Sequence, residues 1–70
     1  MREEILQKIQ RFCPYLYKYE VEDMVKHAKT ISSIQKRKDY IRAVVFNIED
    51  NWLTNSEVST ICELIDLMEE

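Results

Sequence analysis

Thr54-Asn55-Ser56-Glu57-Val58-Ser59-Thr60-Ile61-Cys62-Glu63-Leu64-Ile65-Asp66-Leu67-Met68 is the stretch that decides the fold class. It opens in the form of a capping box, in which Thr54 and Glu57 each satisfy a backbone donor that the first helical turn leaves free. Behind the box, Val58, Ile61, Cys62, Ile65 and Met68 recur at intervals of three and four and make one apolar face. A helix is predicted from about Asn55 to Glu69. Leu64 and Leu67 widen its face, which has two readings: a broad core-facing stripe, or a surface for a partner or a second copy of the chain.

Working upstream, Ile41, Val44, Val45 and Ile48 repeat the helical spacing, with Arg37 before them and Trp52 after. They predict a helix over about Lys38 to Asn51, strand being the lesser alternative because the spacing is three and four and not two. Val21, Met24, Val25, Ala28 and Ile31 place another helix at about Glu20 to Ser32, with Glu20, Glu22 and Asp23 in the first turn, where the macrodipole favours acids. Ile5, Leu6 and Ile9 make a short helix from about Arg2 to Arg11, continued by Phe12 and stopped by Pro14. Tyr15-Leu16-Tyr17-Lys18-Tyr19 alternates as a strand would, but in helical surroundings it reads as a connection with at most a helical turn.

Seventy residues allow one domain, residues 1–70, and a chain with no glycine and one proline lacks most of the residues that tight hairpins need. Four one-faced helices bury their faces on each other, so the expected fold is all-α, a compact bundle of about four short helices. No apolar run reaches the roughly 18 residues of a membrane span, and the charged start Met1-Arg2-Glu3-Glu4 does not read as a secretion signal. The expectation is a cytoplasmic protein with no membrane association, its cysteines Cys13 and Cys62 reduced.

The chemistry-bearing residues are few. His27 is the only histidine, flanked by Lys26 and Lys29, and reads as a partly exposed helix position. Cys13, His27 and Cys62 lack the close pairing of zinc ligands, so no metal site is expected and the cysteines read as buried thiols. Phosphate-binding loops, nucleophile elbows and dinucleotide fingerprints all require glycine. The expectation is therefore a non-enzyme with no cofactor.

Charge is distributed unevenly. Residues 1–25 sum to −1, residues 26–42 to +5 and residues 43–70 to −7, giving −3 overall. In the basic segment Lys36-Arg37-Lys38 falls between the second and third predicted helices, with Arg42 one turn on and Lys29 upstream, so these cations could meet phosphates or an acidic protein surface. The alternative is a solvated cluster in which Lys36 neutralises the end of the second helix. Phe12, Tyr15, Tyr17 and Tyr19 form an aromatic group suited to packing, base stacking or a protein interface. Tyr17, Tyr19, Leu64 and Leu67 are the candidate partner-binding residues.

Tyr40-Ile41-Arg42-Ala43-Val44-Val45-Phe46-Asn47-Ile48, followed by Leu53-Thr54-Asn55-Ser56-Glu57-Val58, resembles the helix motif and threonine-bearing link of the DnaD-like replication-protein C-terminal domain, over about residues 24–58. The resemblance implies a helical module that takes part in DNA binding and replisome assembly. It also implies that Tyr40, Ile41 and Asn47 shape the third helix and that Lys38 and Arg42 contact DNA. Two functions follow: a non-catalytic DNA-binding or replication-accessory module, or a small protein-binding regulator of the phage or plasmid inhibitor type, acting on a host protein.

Overall fold

A computed structural model describes residues 2–68, which form α1 (Arg2–Gln10), α2 (Lys18–Lys29), α3 (Ile34–Glu49) and α4 (Asn55–Leu67), with no strand among the described residues. The fold is an all-α bundle, as the periodicity implies. The expected end of the last helix at Glu69 lies outside the described residues.

Helix ends are set by local bonding that periodicity does not report. α2 begins two residues before the expected Glu20, because the Tyr17 backbone N–H donates to Glu20 Oε1 at 2.7 Å and Tyr17 is extended, with φ −70° and ψ 158°. This is half of a capping box, since tyrosine has no short side chain to return the bond. α2 ends three residues early, at Lys29, where the Thr30 hydroxyl and N–H both donate to His27 O at 2.6 and 3.0 Å. Ser33 then caps α3, its hydroxyl accepting from Lys36 N at 3.3 Å. The third helix thus starts at Ile34 and not at Lys38, and Lys36-Arg37-Lys38 belongs to its opening turns and not to a connection between helices.

α3 closes at Asp50, the one positive-φ residue among those described (φ 57°, ψ 33°), whose N–H donates to Phe46 O at 2.8 Å. The left-handed turn reverses the chain, a job usually given to glycine or asparagine. Thr54 and Glu57 then form the complete box: Glu57 N donates to Thr54 Oγ1 at 3.1 Å, and Thr54 N donates to Glu57 Oε1 at 2.9 Å.

The helices pack as a ring, α1 on α2 and α4, and α3 on α2 and α4. One continuous apolar cluster fills it, including Ile9, Leu16, Met24, Ile41, Leu53, Ile61 and Ile65, and no described polar or charged residue is buried. Contributions are unequal. α2 and α4 each bury four residues and the nine-residue α1 buries three, whereas α3, the longest helix at 16 residues, buries only Ile41 and Val45. Most of α3 is therefore left for other uses. Two of the three inter-helix links, α1–α2 and α3–α4, meet beside its C-terminal end, where Tyr15 N donates to Glu49 Oε1 at 3.2 Å and Asn51 Nδ2 to Phe12 O at 3.4 Å.

Candidate functional site

The basic residues divide into structural and displayed sets. Arg37 lies along the turn between α2 and α3, its Nε and Nη2 donating to Ile31 O at 3.2 and 3.0 Å and its Nη1 to Asp66 Oδ1 at 2.9 Å. With its side chain only 13% exposed, it fastens α4 to the α2–α3 turn. Arg42 holds the α3–α4 link and the start of α4 to α3, donating from Nε to Leu53 O at 3.2 Å and from Nη2 to Asn55 Oδ1 at 2.7 Å. Five residues apart on one helix, the two side chains leave α3 in directions about 140° apart, so they do not converge. Lys29 Nζ donates to Met68 O at 2.9 Å. Lys36 is exposed and Lys38 half-exposed, and neither makes an ion pair among the described residues.

Tyr17 and Tyr19 are exposed and stack on each other, ring centroids 5.8 Å apart and planes 10° from parallel. Tyr15 is also exposed, while Leu16 between them turns into the core. On α4, Leu64 is half-buried against the core and Leu67 is exposed. Of the residues singled out by the DnaD-like resemblance, Ile41 is buried, Tyr40 is half-buried against the core and Asn47 is exposed.

A surface not anticipated from the sequence lies on the flank of α3 around Arg42. Because Asp50 turns the chain back, Trp52 folds against Phe46 edge to face, centroids 5.6 Å apart and planes at 83°. The Arg42 guanidinium sits over the Trp52 ring, 5.1 Å from its centroid. Its bonds to Leu53 O and Asn55 fix the cation over the indole, and the cation–π contact fixes the indole. Phe46 is nevertheless 42% exposed and Trp52 64% exposed. The sequence carried one sign of this: Phe46 stands outside the apolar stripe of Ile41, Val44, Val45 and Ile48.

Both cysteines are buried and free. Burial, reinforced by the nearby Glu49 carboxylate, pushes the Cys13 thiol up to about 12, and its Sγ donates to Ile9 O at 3.4 Å. Burial raises Cys62 too, against the opposing pull of Arg37 and Lys38. Neither is a thiolate at neutral pH, the form that attacks electrophiles and binds metals. Among the described residues no three of His, Cys, Asp and Glu are grouped to hold a metal ion, and no helix is long and apolar enough to cross a membrane. No family model, curated protein or solved structure matches the chain.

Proposed function

We propose that the chain is a small non-catalytic module that works by docking on another protein, as a regulator or adaptor. The observation that carries this reading is the Phe46–Trp52–Arg42 arrangement: a tryptophan two-thirds exposed yet held in one orientation by an aromatic edge and an anchored cation. Large amphipathic rings with little conformational freedom left to lose are the groups that dominate protein interfaces. Phe46 sits on the helix that buries the fewest residues, and Trp52 folds back onto it from the link that follows. Trp52 is also the sole tryptophan, so its emission reports on that surface alone.

The test is to immobilise the protein, pass cell extract over it, and repeat with Phe46→Ser/Trp52→Ser. A captured protein absent from the variant's eluate, which shifts Trp52 emission to the blue when mixed with the wild-type chain, is the expected result. Identical eluates from both columns would overturn the reading.

A second reading, DNA binding in replication of the kind the DnaD-like resemblance implies, is favoured by Lys36 and Lys38, which make no ion pair among the described residues and stand in the opening turns of α3. Electrostatic contacts to phosphates weaken steeply with salt. Fluorescence anisotropy with single- and double-stranded DNA at low salt tests it, using Lys36→Glu/Lys38→Glu as the variant. Arg37 must be left alone, since reversing its charge would break the Asp66 bridge and confound binding with folding. Affinity that is lost both in the variant and at higher salt would establish this reading; no binding at low salt would remove it.

A further inference from the structure

On the opposite flank of α3 from Phe46, an open groove of ≈ 530 Å³ runs between α2 and α3. Its α3 wall is the row Tyr40, Val44 and Ile48, spaced four residues apart and therefore one above the other along about 12 Å of helix. Met24, fully buried, supplies the floor, and Ile48 is 44% exposed at one end. The α2 wall adds Tyr19 and two carboxylates, Glu20 and Asp23, and among the described residues no lysine or arginine lines the groove. His27 closes beside Tyr40, ring centroids 6.5 Å apart, with Nδ1 3.5 Å from Asp23 Oδ2.

We propose that this groove takes a basic amphipathic helix of a protein partner, about two turns long, whose apolar residues lie on Tyr40, Val44 and Ile48 and whose cations meet Glu20 and Asp23. The charge of the rim selects the occupant. Nucleic acid is repelled, because its phosphates would meet carboxylates with no compensating base. A second copy of the chain joined about a two-fold axis would set the same carboxylates against each other. The inference rests on the chain being a docking module, but it concerns a different surface from Trp52, so separate substitutions test the two.

The probe is a fluorescein-labelled peptide of about 14 residues with leucines at i, i+3, i+4 and i+7 and lysines elsewhere, titrated with the full chain. A glutamate version with the same leucines and a scrambled lysine–leucine peptide are its comparators. The amphipathic basic peptide is expected to bind at least about tenfold more tightly than either comparator. Ile48→Asp and Asp23→Lys should each weaken it by about tenfold, while Trp52→Ser and Glu63→Lys, a matched charge change on α4, should leave it within about twofold. Circular dichroism verifies each variant's helicity, and because Asp23 is exposed its variant keeps the test valid if Ile48→Asp unfolds. Equal binding of the scrambled peptide, an equal loss in Glu63→Lys, or no binding at all overturns the groove. If the groove fails while capture through Trp52 persists, the docking function stands; if the groove holds and Trp52 proves dispensable in capture, the reverse is true.

Discussion

Lys36 and Arg37 are neighbours in sequence with different work. Lysine carries one mobile ammonium, whereas the planar guanidinium of Arg37 reaches a carbonyl twice and a carboxylate once in a fixed geometry. Arg37→Ala is therefore expected to lower unfolding free energy by about 1–2 kcal/mol, against less than about 0.5 kcal/mol for Lys36→Ala, in urea titrations. Cys13 makes a residue-scale claim about pH. Its thiol is raised from 9.0 to about 12 in the fold, so above about pH 9 the unfolded chain releases a proton that the folded chain keeps. The stability this represents is fully present below pH 9 and is lost as pH rises toward 12. The wild type should thus lose stability faster than Cys13→Ala over that window, by on the order of 1 kcal/mol per pH unit, when denaturation midpoints are compared at about pH 8 and pH 10.5.

At the scale of the element, two caps on either side of one link carry opposite expectations. Thr54 completes its box, so Thr54→Ala should cost about 1 kcal/mol, seen as a lower urea midpoint at unchanged slope. Asp50 holds a left-handed conformation that a side chain disfavours, at a helix end where a negative charge is also unfavourable, so Asp50→Gly should gain up to about 1 kcal/mol. These links also show how far the sequence could be read. Thr54-x-x-Glu57 and the stripe behind it were legible because their signals are local, and all four helices followed from apolar spacing. Tyr17 as a cap was not legible, because the residue that makes the bond is Glu20 and tyrosine carries no capping signature. Nor was the start of α3 at Ile34, which is half-exposed and separated from the apolar stripe by the polar run Gln35 to Asp39. The Trp52 surface depends on a reversal at Asp50 that spacing along a helix cannot express, and the occupation of Arg37 and Arg42 depends on carbonyls brought near only by the folded turns. Charge counting located the cations but not their partners.

For the whole molecule, the limit is size. A core built from about 70 residues yields on the order of 3–5 kcal/mol net, while truncating a fully buried isoleucine costs about 2–5 kcal/mol. Ile61→Ala should therefore leave the chain largely unfolded at 25 °C by circular dichroism, whereas Leu67→Ala, on the same helix but exposed, should melt within a few degrees of wild type. The ring of contacts has a last consequence. Because α1 packs on α4, Arg2 and Met68 line one cleft, and the two ends of the described chain emerge side by side. The order in which the four helices are strung together is then separable from the way they pack. A circular permutant joined there by a short flexible linker and opened between Ser32 and Ser33 should reach the same helical spectrum, and its two new ends would leave the Trp52 flank unaltered. By the same geometry, the module could sit inside a surface loop of a host protein, entering and leaving through one doorway.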